Sequence, residues 1–222
     1  LSPGAVPLEI FISRLTPDRK RFAADPLGYG VLAWQQWELA KFIATGAGES
    51  RLTPSANDLK NPLLWLTQAH ALSEAARAIF ANQPQWETML PWVHGACDSQ
   101  YCDAGLMLVG YGLEVCLKAI LILRCGVDAY TDDEKKHRHH KLERLAEFVP
   151  GLSSKDQAIL RTLTHYIEWA GRYPDPGAEH VGKFEEVFAL SEVNEISAAD
   201  LFELVSRVMQ YSNEVVEHSE GK

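Results

Sequence analysis

Apolar residues recur at helical spacing along most of the chain. From Pro62, the positions Leu63, Leu66, Ala69, Ser73, Ala76 and Phe80 are three or four apart, which predicts a helix. Pro62 is tolerated in its first turn, and Pro84 stands just past its end. The small residues Ala71, Ala75, Ala76 and Ala78 let a neighbouring helix approach closely. Between Leu106 and Leu123 the pattern changes, because the sequence is apolar on nearly every side. That predicts a central helix over 99–125, buried within a bundle and stopped at Gly126.

Shorter patterns flank these two. Residues 27–45 predict a helix with Trp34, Trp37, Leu39, Phe42 and Ile43 on its apolar faces, ended by Gly46–Ser50. Leu8–Ile12, among Pro3, Pro7 and Pro17, reads as an extended arm or short strand. Residues 46–60 read as a polar loop. Residues 85–96 predict a short helix or packed loop around Pro91, and 127–136 an acidic-to-basic loop. A helix is expected over 138–148, ended by Pro150 and Gly151. Ser154 and Gln157 fit a capping box for a helix whose stripe is Ile159, Leu160, Leu163, Ile167 and Ala170. Pro174 disfavours helix at Tyr173. A loop over 174–196 holds a short helix at Phe184–Leu190. Ser197 caps a last helix with the stripe Leu201, Leu204, Val205, Val208, Ser212 and Val215. Together these predict an all-α, antiparallel bundle. Residues 1–60 form an N-terminal arm and helix packed on it, and 61–222 form the bundle itself.

Composition narrows the partners. The net charge of the 222 residues is −9, which disfavours general binding to phosphate backbones. The local exception is the run Lys135, Lys136, His137, Arg138, His139, His140, Lys141. The four cysteines form no CxxC pair, so a zinc ribbon or thioredoxin-type site is not expected. Cys116 and Cys125 read as small core residues, and the compartment as reducing and cytoplasmic. No basic and apolar leader opens the sequence. Glu114, Lys118 and Arg124 argue against Ala104–Gly126 as a membrane span.

Three segments, read in order, resemble the HEPN family of helical bundles. They are Gly110-Tyr-Gly-Leu-Glu-Val-Cys-Leu-Lys-Ala-Ile-Leu, His140-Lys-Leu-Glu-Arg-Leu and Ala170-Gly-Arg-Tyr-Pro. The resemblance covers roughly residues 60–215 and implies a four- or five-helix up-and-down bundle, often a homodimer. Many family members are metal-independent RNases of toxin–antitoxin or other defence systems. Others are non-catalytic, some of them partners of nucleotidyltransferases. The resemblance therefore implies a nucleotide or RNA ligand, a nucleotidyltransferase-type or antitoxin partner, and no metal or other cofactor. RNase members carry an Arg, usually followed by a polar residue, and a His after four to six residues. Here Tyr173 follows Arg172, and seven residues separate Arg172 from His180. The chain departs from the RNase pattern in both respects.

Several polar positions carry two readings each. Glu114 and Lys118 have the spacing of a helix ion pair, either a buried structural pair or one that orients a ligand or faces a dimer partner. His137–His140 reads as a solvated loop with one packed histidine, or as a phosphate contact; His140 matches the family position. Arg161, His165, Glu168 and Arg172 fall on one helix face. That face is a solvated surface with a Glu168–Arg172 pair, or a site. In the site reading Arg172 stabilises phosphate charge and His165 or His180 exchanges a proton. Tyr173 lies beside Arg172 and joins the ligand-binding candidates. The six tryptophans read mainly as packing residues. Three functions follow: a nucleotide- or RNA-associated module, a metal-independent endoribonuclease, or a structural dimerisation module.

Overall fold

A computed structural model describes residues 19–26, 59–175, 177–178 and 180–220. The chain divides into two compact units, Leu1–Ser55 and Ala56–Lys222. In the first, Arg19–Arg21 forms one 3-10 turn. The arm at Leu8–Ile12 and the helix over 27–45 lie outside the described residues, as do Trp34 and Trp37.

The second unit is helical, with no strand among its described residues. Helix α1 spans Pro62–Ala81, and Asn61 caps it by accepting from the Leu63 N–H at 2.9 Å. Helix α2 spans Pro91–Cys125, starting eight residues before the expected position. Pro91 sits in its first turn, where the missing N–H costs nothing. Gly126, at φ 85°, ends it as expected.

α2 is the centre of the core. Val109, Leu113, Leu117 and Ile120 pack with Leu160, Leu163 and Ile167 and with Leu204 and Val208 of the later helices. Among the described helices only α2 is long and apolar enough to cross a membrane. Over half of its most apolar stretch, 56 %, is buried inside the protein, and the stretch is the core of the bundle. α1 runs antiparallel to it. The hydroxyl of Tyr101 donates to the Asn82 carbonyl, Phe80 lies against Gly105, and Ala69 and Ser73 lie against Gly112.

The 127–145 region folds more finely than its sequence suggests. α3 (Val127–Asp132) and α4 (Glu134–His137) replace the expected loop. The expected 138–148 helix contracts to one turn, α5 (Leu142–Leu145). The apolar residues do go inward: Leu142, Leu145, Ala146 and Val149 are buried. The helix does not start earlier because the Leu142 N–H is taken by the Thr164 hydroxyl at 3.1 Å. His140 is therefore held in the extended approach to α5.

α6 spans Ser154–His165. Its cap is Ser153 rather than Ser154, with Asp156 closing the box. Burial pushes the Asp156 carboxyl up, but Arg207 and Ser153 outweigh it and hold the group below its usual range. α6 continues as one π-helical turn, Tyr166–Ala170. The two run antiparallel to α2, with Ile167 against Gly110 and Gly171 against Met107. α7 (Lys183–Asn194) is longer than expected, and α8 (Ala198–Glu220) carries the expected Ser197 cap, closed by Asp200. Cys116 is buried, whereas Cys125 is exposed at the end of α2, its thiol on the Leu121 carbonyl.

Asp103 of α2 is half-buried near the π turn, and burial raises its carboxyl to about 6. The unfolded carboxyl ionises near 3.8, so ionised Asp103 opposes folding above pH 6 and not below pH 3.8. Asp103→Asn is expected to stabilise the fold by about 1–2 kcal/mol at neutral pH after allowing for solvent screening. In acid the gain disappears. Urea melts at both pH values check this; an equal gain at both would contradict it.

Candidate functional site

The central helix places Tyr111, Glu114 and Lys118 on one face at three- and four-residue spacing. Glu114 is 5 % exposed, yet both carboxylate oxygens are used. Oε1 accepts from Lys118 Nζ at 2.7 Å. Oε2 lies 2.9 Å from His140 Nδ1. A carboxylate can only accept, so Nδ1 carries the proton. Nε2 is then the outward nitrogen, accepting when the ring is neutral and donating when it is protonated.

Two contacts hold His140 against the bundle. The Leu142 N–H donates to Thr164, whose hydroxyl donates to the Leu160 carbonyl at 2.9 Å, tying the segment to α6. The ring also meets Tyr111 edge-on, with centroids 6.3 Å apart. The other face of this geometry belongs to Arg172, whose guanidinium carbon lies 5.2 Å from the Tyr111 ring centre. A cation over an aromatic face gains about 0.5–1 kcal/mol when exposed, as Arg172 is. An unbroken chain of contacts thus runs Lys118, Glu114, His140, Tyr111, Arg172.

The π turn aims Arg172. The Gly171 N–H donates to the Tyr166 carbonyl five residues back, at 3.1 Å. One extra residue in this turn breaks the four-residue register, so the expected shared face of Arg161, His165, Glu168 and Arg172 does not form. Arg161 pairs with Glu143 at 3.4 Å at the surface. The expected Glu168–Arg172 pair is replaced by the contact of Arg172 with Tyr111. Tyr173 is 64 % exposed.

His165 and His180 belong to a different group. Both lie against Trp169, with centroids at 6.3 and 5.4 Å. His165 is buried, its Nε2 3.8 Å from Glu186 of α7 and its Nδ1 without a hydrogen-bond partner. Burial pushes the His165 imidazole down; Lys183 and His180 act in the same direction, while Glu186 and Glu168 oppose it. The neutral ring therefore stabilises the fold fully above the unfolded value of 6.5, and this is lost as pH falls through the lower folded value. Melting temperatures between about pH 8 and pH 5 are expected to fall more steeply for the wild type than for His165→Phe. Equal slopes would exclude this role.

The other histidines of the basic run go separate ways. His137 stacks on Tyr130 at 5.4 Å. Burial raises the Tyr130 phenol to about 12, aided by Glu134 and Glu114. His139 accepts from the Lys141 N–H at 3.2 Å, and burial, with Lys118, Arg144 and His137, keeps its ring below the usual histidine value against the pull of Glu114. Lys135, Lys136, Arg138 and Lys141 are exposed around them.

The arrangement brings Glu114, Lys118, His140 and Arg172 together and sets His165 and His180 apart on Trp169. Sequence reasoning passed over Tyr111. Its signal was its place one turn before Glu114, between Gly110 and Gly112. The chemistry offered is a partly exposed set of cations, one neutralised from within by Glu114. No protein-family model, curated protein or solved structure matches the chain.

Proposed function

We propose that this chain is a HEPN-like helical module that binds the phosphate of a nucleotide or RNA at the Tyr111–Arg172 group. One observation carries the reading. Segments 110–121, 140–145 and 170–174, distant in sequence, meet through the contacts around Glu114 and Tyr111. The antiparallel course of α1 and α6 beside α2 supports the up-and-down bundle. The prokaryotic defence or toxin–antitoxin setting, the cytoplasmic location and a homodimer follow from the resemblance in those segments.

Each group has a part. The Arg172 fork is suited to two phosphate oxygens. His140 Nε2 faces outward to donate a third hydrogen bond when protonated. Glu114 holds Lys118 and His140 in place without neutralising Arg172. The exposed Lys135, Lys136, Arg138 and Lys141 extend positive charge beyond the site, against the net −9 of the chain. A thermal-shift series with mononucleotides and short RNA tests this. A ligand at a hundredfold excess over its Kd adds about 2.7 kcal/mol, a shift of several degrees. Arg172→Ala and His140→Ala are expected to abolish that shift. If the shift survives in both variants, the site is misplaced.

A second reading is a metal-independent endoribonuclease in which Arg172 works with His140. The observation that favours His140 over His165 and His180 is its place on the same tyrosine ring as Arg172. Cleavage by a 2′-hydroxyl requires a proton acceptor and stabilised phosphate charge, which His140 Nε2 and Arg172 supply. Incubation with total RNA in EDTA tests it; no cleavage, or cleavage unchanged in both variants, would overturn it.

A further inference from the structure

α7 covers the π turn with little of its own surface. Of its twelve residues only Val187 is buried. Phe184 stands edge-on to Trp169 at 4.6 Å, and Glu186 faces His165. Beneath these contacts His165 Nδ1 and Trp169 Nε1 are buried without hydrogen-bond partners. α7 is thus less firmly seated than the other long helices, and can adjust its position.

Its outer face is aromatic and acidic. Phe188 is 68 % exposed and Phe184, one turn earlier, is 43 % exposed. At about 100° per residue, Glu185 and Glu192 share the same outward arc as Phe184 and Phe188. Glu195, just past the helix, continues the acidic edge. Among the described residues Glu185, Glu192 and Glu195 form no ion pair. Two phenylalanines in solvent, rimmed by unpaired carboxylates, mark a contact surface.

We propose that this face of α7 docks a basic amphipathic helix of a partner protein. Phe184 and Phe188 match the spacing of an apolar helix stripe, and Glu185 and Glu192 match flanking lysines or arginines. The same charges repel nucleic acid and anionic lipid. The surface is therefore independent of the cationic group around Tyr111, and the proposal stands whatever that group binds.

The test uses a labelled Leu/Lys peptide of about 14 residues with helical amphipathic spacing, titrated with the full chain by fluorescence anisotropy. Two control peptides are a scramble that spreads the leucines around the helix and a Leu/Glu version. Phe188→Ser and Glu185→Lys/Glu192→Lys are each expected to weaken binding about tenfold or more, with melting temperatures kept because the side chains are exposed. The scramble is expected to bind at least about tenfold more weakly, and the Leu/Glu peptide not at all. Equal binding of the scramble reduces the effect to bulk charge and overturns the proposal. So does Phe188-independent binding. Dimerisation of the chain that Phe188→Ser abolishes, or Phe188-dependent binding to zwitterionic vesicles, assigns the face to another occupant and also overturns it.

Discussion

Glu114→Ala is expected to lower the melting temperature by about 10 °C. The substitution leaves Lys118, whose side chain is 12 % exposed, without its partner and releases His140. Breaking a buried ion pair by removing one member costs about 3–5 kcal/mol, and in a chain of this size each kcal/mol is worth about 2–4 °C. The charge, rather than the packing, is the source of the loss. Glu114→Leu combined with Lys118→Met removes both charges and fills the same space, so it is expected to recover most of the stability. The double variant nevertheless has nothing to hold His140, and its response to nucleotide should stay absent. Differential scanning calorimetry of the three proteins separates the two effects. A double variant as unstable as Glu114→Ala would show that the pair is not the cause.

Gly171→Ala is the second large effect. An added Cβ would lie 2.5 Å from Met107 Cβ, 2.9 Å from the Asp103 carbonyl oxygen and 3.0 Å from that of Tyr166. Two of these neighbours are backbone atoms of packed helices and cannot swing aside. Overpacking of this kind costs about 1–3 kcal/mol. Relief requires the end of the π turn to move away from α2, and that carries Arg172 off Tyr111. Loss of nucleotide-dependent stabilisation is therefore expected to exceed what the fall in stability explains. Chemical denaturation gives the stability cost, and the thermal shift gives the binding cost. Gly171→Ala with an unaltered melt would contradict the close approach.

The long elements were legible because periodicity and stop signals agreed. Pro62, Gly126 and Ser197 mark ends that the structure keeps, and the apolar run from Leu106 to Leu123 is the core. Legibility fell where tertiary hydrogen bonds overrode local pattern. The apolar residues of 142–149 look helical, yet Thr164 captures the Leu142 N–H and leaves one turn. The Glu114–Lys118 pair could be read from a four-residue spacing, but the arrival of His140 across 26 positions could not. The histidines proposed beside Arg172 were placed by assuming an unbroken α-helix, and the π turn removes that assumption. Tyr111 was hidden for a different reason. A tyrosine within an apolar helix reads as core until its neighbours in space are known.

The π turn at Tyr166–Ala170 makes residue number itself a determinant of the surface. Each residue of an α-helix advances about 100°, so deleting one position from this turn would let α6 run on as a regular helix and rotate everything after it by that amount. Arg172 would leave Tyr111 without any change in its own identity. A lineage of such chains could therefore gain or lose this surface through a single-codon insertion or deletion, a change that a comparison of aligned residue types would pass over.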